Sequence, residues 1–93
     1  MSDLSEPDHM TDMAVELGIE RGHWGSGKAS FSLQVSQRHC NKAGVAHGGL
    51  YTLMLDMALG GSLVCTLKKE EWCATTQLNV SFINAARPNE KII

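Results

Sequence analysis

From Gly48 to Leu67 the chain runs for twenty residues with a single charge, Asp56, and few polar side chains: Thr52, Ser62 and Thr66. A run of this kind belongs either in a bilayer or inside a domain. An acid at the bilayer centre costs about 2.5–3.5 kcal/mol. Gly60-Gly61 interrupts the run, and alternating segments flank it on both sides. We therefore read it as a buried helix, with no membrane span. Lys68-Lys69 at its end suit the negative pole of a helix dipole. At 1.5 Å per residue such a helix is roughly 30 Å long, more than two or three strands can cover. The remaining cover must come from a second copy of the chain or from sequence not present here.

Before that run, Met13, Val15 and Leu17, with Asp12 and Glu16, predict a short helix from Thr11 that stops at Gly18. Ile19 to Trp24 reads as a strand and Gly25-Ser26-Gly27 as a turn. Ala29, Phe31, Leu33 and Val35 alternate with serines and a glutamine, which predicts a half-buried strand. A polar loop covers 37–46. After the helix, Thr76, Leu78, Val80 and Phe82 alternate with Gln77, Asn79, Ser81 and Ile83, predicting a second long strand. Asn84 to Asn89 reads as a turn, and Lys91-Ile92-Ile93 as the opening of another strand. The fold class is α+β, a sheet wrapped round one central helix.

Ninety-three residues make one domain, 43% apolar and 19% charged, which is globular rather than disordered. A net charge of −2, with no basic stripe, argues against nucleic acid. Residues 1–12 read as a flexible acidic leader and 13–93 as the domain. Three cysteines, Cys40, Cys65 and Cys73, form no disulfide framework and follow no signal peptide, so free thiols in the cytoplasm are expected. Cys65 and Cys73 read as small buried hydrophobes. Cys40 beside His39 is weak evidence for a nucleophile, and the four histidines lack zinc spacing, so no metal or other cofactor is expected.

The chemistry concentrates where the loop enters the helix. Gly48 and Gly49 leave the N–H groups of the helix start unobstructed, and that end carries about half a positive charge. Such a site suits an oxygen gaining negative charge. Asp56, an acid on an apolar helix, needs a partner or a task, and a general base or nucleophile is the functional reading. Eight residues separate Gly48 from Asp56, about 12 Å along one helix. One reacting carbonyl needs both groups within roughly 3 Å. Two antiparallel copies can supply them across an isologous interface, giving two equivalent sites per dimer.

The pattern Asn41-x-x-Gly44-x-x-His47-Gly48-Gly49, then Leu53-x-x-Asp56 and Asn79-Val80-Ser81-Phe82, resembles the hotdog-fold thioesterases. The branch most similar is the phenylacetate-pathway and thioesterase superfamily member 2 type. The resemblance spans roughly residues 14–93. It implies hydrolysis of an acyl-CoA thioester in a homodimer, usually paired into a homotetramer. It implies that the Gly48 N–H polarises the thioester carbonyl and that Asp56 of the facing chain activates water or attacks. Asn41 would position water or thioester, with His47 and Gly49 toward the substrate. A hydroxyl four residues before Asn79 orients the acid in such proteins, which is Thr75 here, with Thr76 the fallback. The family continues with long antiparallel strands beyond Pro88, so this chain reads as a hotdog domain truncated after its early strands. Two other readings share the fold: a non-catalytic acyl-CoA-binding or scaffold protein, and, more weakly, a dehydratase.

Overall fold

A computed structural model describes residues 10–68 and 70–93; most of the expected leader, residues 1–9, lies outside them. Helix α1 (Asp12–Leu17) is followed by β1 (Glu20–Gly25), β2 (Lys28–Gln34), a single 3-10 turn (Gln37–His39), helix α2 (Gly48–Val64) and β3 (Lys91–Ile92). α1 ends at Gly18, whose φ of 83° is the left-handed conformation glycine adopts without cost. The sheet order is β1-β2-β3, with both pairs antiparallel.

The hairpin turns on two residues, Ser26 and Gly27, both with positive φ, between the paired Gly25 and Lys28. That mirror-image turn matches the natural twist of its strands. Within the hairpin, Gly22 and His23 oppose Ser30 alone, a β-bulge between the Arg21–Phe31 and Trp24–Ala29 pairs. The Ser30 hydroxyl accepts the His23 N–H at 2.7 Å, where a side chain on residue 22 would stand. The bulge adds local twist.

Phe31, Leu33 and Val35 are buried as the alternation predicts, and Leu50 and Met54 of α2 lie in the same cluster with Ala14, Ile19 and Ala46. β3 extends β2's ladder: Val35 donates to the Glu90 carbonyl and Asn89 donates to that of Val35, each at 2.8 Å. Ala46 donates to the Ala86 carbonyl at 2.8 Å, tying the entry of α2 to the segment before β3.

Three expectations need correction. α2 stops at Val64, before the lysines, and carries no base in its last turn. The Thr66 and Ser62 hydroxyls donate instead to the Leu63 and Leu59 carbonyls, taking up acceptors near the helix end. The helix is also not buried all round: Leu55, Leu59 and Leu63, spaced to form one stripe, are exposed. The predicted second strand does not form. Among the described residues, 72–83 joins no ladder, although Leu78 and Val80 remain half-buried between exposed neighbours. Alternation reports which side chains seek cover; a strand also requires a backbone to pair with. Cys65 and Cys73 are half-buried rather than buried.

Candidate active site

His47 is the N-cap of α2, and no side-chain hydrogen bond caps this end. Its own N–H donates to the His39 carbonyl and its carbonyl accepts from Leu50, so the backbone at the helix start is fixed. The Phe82 ring occupies the place of a residue-48 side chain, its Cζ 3.2 Å from where a Cβ would stand. A side chain at position 48 would press on that ring, which would have to give by a few tenths of an ångström. Phe82 and Tyr51, with ring centroids 6.1 Å apart, form an apolar wall beside these amides. The cavity there is about 430 Å³ and is shared by Gly48, Tyr51 and Phe82.

Two turns further on, Asp56 is half-buried. The Thr75 hydroxyl donates to its Oδ1 at 2.5 Å. A hydrogen bond to a charged acceptor of this kind is short and strong, and it fixes the carboxylate's orientation while leaving Oδ2 for another donor. Asp56 and Thr75 open into a separate cavity of about 430 Å³ with Trp24, Phe31 and Met57 on its walls. Arg21 stands at this cavity too, its guanidinium carbon 5.8 Å from the Trp24 ring centre.

Of the residues singled out in the sequence, Asp56 and Thr75 are brought together directly, whereas Thr76 is exposed and outside that pair. Asn41 and His47 line a third cavity of about 660 Å³ with Lys42 and Pro88. Asn41 Oδ1 accepts the Ala43 N–H at 2.9 Å, and its backbone N–H donates to Val45, so the residue shapes its own loop. Gly49 is exposed, with open space where a side chain would be. Within one chain Gly48 and Asp56 face different cavities, as their helical spacing requires. Among the described residues no three metal-ligating side chains gather. No helix among them is long and apolar enough to cross a membrane.

Sequence reasoning missed Arg21 and Trp24 as walls of the Asp56 cavity. The bulge at Gly22 and His23 brings them to the same side, and only the glycine hinted at it. It also passed over His39 as a structural element. That residue is 5% exposed with both ring nitrogens engaged.

No family model matches the chain. One curated relative, a "Putative esterase" of Pseudomonas aeruginosa, is 32% identical over 56 residues, 60% of this chain and 42% of that protein. The matched stretch is thus about two fifths of that relative's length. Among solved structures, a conserved protein of Pseudomonas aeruginosa superposes with a TM-score of 0.80 at 20% identity, over 88% of this chain and 65% of its own. A crystal structure named as a putative thioesterase, a phenylacetic acid degradation-related protein of Ralstonia eutropha, gives 0.77 at 24%, over 92% and 67%. Thioesterase superfamily member 2 of Mus musculus gives 0.67 at 22%, over 88% and 70%. The chain thus has the hotdog fold, in common with solved structures that bear the thioesterase superfamily name.

Proposed function

We propose that this chain is an acyl-CoA thioesterase that works as a homodimer or homotetramer, with its site at the interface of two copies. The observation that carries this reading is the Thr75–Asp56 hydrogen bond: an acid held in one orientation on the wall of a cavity that it shares with Trp24, Phe31 and Met57. The uncapped start of α2 supports it as a place for an oxyanion. Names of the relatives support hydrolysis of an ester or thioester.

In this mechanism the thioester carbonyl oxygen lies against the Gly48 N–H of one copy. Asp56 of the other copy takes a proton from water through its free oxygen, and the water oxygen bonds to the carbonyl carbon. The tetrahedral oxyanion is held at the helix start. Its collapse breaks the C–S bond, and the CoA thiolate leaves and takes up a proton. Thr75 keeps Asp56 aimed, Asn41 positions the water or the thioester, and His47 and Gly49 border the substrate. Thr76 is the alternative hydroxyl. No metal or other cofactor is required by these steps. The reading places the protein in the cytoplasm, where its three unpaired thiols would persist.

Release of free thiol from a panel of aliphatic and aryl CoA esters tests the reading, beside a mass measurement of the assembly. Asp56→Asn keeps the shape of the side chain and removes the base. Turnover should fall by about 10²–10⁴-fold, the usual contribution of a general base, with the melting curve unchanged. Wild-type turnover in that variant would end the assignment. Binding of acyl-CoA by the wild type with no thiol released would favour the scaffold reading.

A further inference from the structure

The geometry points to His39 as a positioning residue: a buried clasp that ties helix α1 to the loop presenting Asn41, His47 and Gly48. Its consequence for catalysis rests on the hydrolase reading above, whereas the clasp itself is independent of it.

The last carbonyls of a helix have no partner within it. At the end of α1, two side chains of the following 3-10 turn take them. Arg38 Nη1 donates to the Glu16 carbonyl at 2.5 Å, and His39 Nε2 donates to the Leu17 carbonyl at 2.6 Å. The other His39 nitrogen, Nδ1, accepts the Ser36 N–H at 2.9 Å. These partners fix the tautomer: the proton is on Nε2, facing the helix, and Nδ1 is the acceptor. Gly18 completes the contact, because a Cβ there would stand 3.0 Å from Arg38 Nη2 and its φ is left-handed besides.

The same residue also holds the far end of the loop. The His39 carbonyl accepts the His47 N–H at 2.9 Å, and the neighbouring Cys40 and Ala46 form a β-bridge. The buried ring therefore anchors the 3-10 turn beside its own backbone bonds, and the residue 39 carbonyl holds the N-cap of α2. Loss of the ring's two anchors would loosen the 3-10 turn that carries this carbonyl, and with it the backbone at His47 and Gly48. Errors of about 1 Å at a reacting centre can cost on the order of a hundredfold in rate. Arg38 is exposed and holds only the helix, so its loss should leave the loop in place.

The test compares His39→Ala, His39→Asn and Arg38→Ala in the full chain by amide hydrogen exchange and by thiol release. Asn offers an acceptor to the Ser36 N–H and is too short to reach the Leu17 carbonyl. In His39→Ala, exchange over residues 40–49 should quicken at least about tenfold while the hairpin, residues 20–34, keeps its rates. His39→Asn should recover part of that protection, and Arg38→Ala should resemble the wild type over 40–49. On the turnover side, kcat should fall by about tenfold or more with KM held within about threefold. If His39→Ala fails to fold, His39→Asn carries the same readouts. Unchanged exchange over 40–49 in both His39 variants would overturn the proposal. So would equal loss of protection in the hairpin, which would make His39 a core residue without a specific role. A wild type that releases no thiol defeats the hydrolase reading alone, and exchange then decides the clasp.

Discussion

The approach to helix α2 and the segment that passes back along it, residues 72–83, are both free of long regular structure, yet they are held in opposite ways. In the approach, 36–47, backbone groups are tied off one by one: His39 to Ser36, Asn41 to Val45, His47 to His39, Ala46 to Ala86. Behind it lie the buried Leu50 and Met54. In 72–83 no ladder forms among the described residues, and cover is partial, with Trp72 and Phe82 largely exposed. The second segment meets the helix through side chains, Thr75 on Asp56 and Phe82 on Gly48. The uncovered stripe of Leu55, Leu59 and Leu63 shares this condition, as does the Tyr51 hydroxyl, buried with no partner among the described residues. The contrast shows that hydrogen-bonded closure, rather than regular secondary structure, is what fixes the backbone at the helix start.

Stability measurements put the largest strain on this comparison. Leu33 is 1% exposed at the centre of the core. Leu33→Ala removes its packing and should cost about 2–5 kcal/mol in urea unfolding. Val80→Ala, in the segment without a ladder, should cost less than about 1 kcal/mol, because a half-covered side chain has less transfer energy and leaves no enclosed void. Equal costs would place 72–83 in the cooperative core and erase the difference.

Next in size is a polar contact that links the loose segment to the helix, Thr75 on Asp56. Thr75→Ala should lower turnover by about tenfold or more, since the carboxylate loses the donor that holds it in one orientation. Thr75→Ser keeps the hydroxyl and should retain most of the activity. Melting temperature should move little in either variant, because Thr75 is exposed. Similar losses in both variants would mean that the methyl group, and so packing, matters rather than the donor.

Much of this was legible in the chain. Alternation from Ala29 to Val35 marks the buried face of β2 because a half-covered strand leaves a period of two. Gly18 and the Gly25-Ser26-Gly27 turn are local signals, since positive φ demands particular residues. Asp56 stands out as the one charge of its run, and its distance from Gly48 follows from helix geometry alone. What was not legible depends on distant partners. The segment 76–83 has a strand's pattern and no described strand to pair with. The end of α2 falls at Val64, short of the lysines that mark it in the sequence. His39 looks like an ordinary polar loop residue until the Leu17 carbonyl arrives from 22 positions earlier.

The adjacent glycines of α2 sharpen the comparison at its smallest scale, because they sit side by side and face different surroundings. A Cβ at Gly61 would stand 3.0 Å from Trp24 Cζ3 and 3.1 Å from the Cβ of Ala29. The Ala29 Cβ is fixed to the backbone of β2 and cannot swing aside, so the helix must shift away from the sheet. Gly61→Ala should therefore cost about 1–3 kcal/mol of packing strain, offset in part by about 1 kcal/mol of helix propensity. At Gly60 nothing lies within 4 Å of the added carbon. There only the propensity remains, and Gly60→Ala should stabilise the chain by up to about 1 kcal/mol. Gly60 also borders the Asp56 cavity, so the substitution is read by unfolding and by thiol release together. A gain in stability with turnover kept shows that Gly60 merely punctuates the helix. A gain in stability with turnover lost shows that the cavity uses the room the missing side chain leaves.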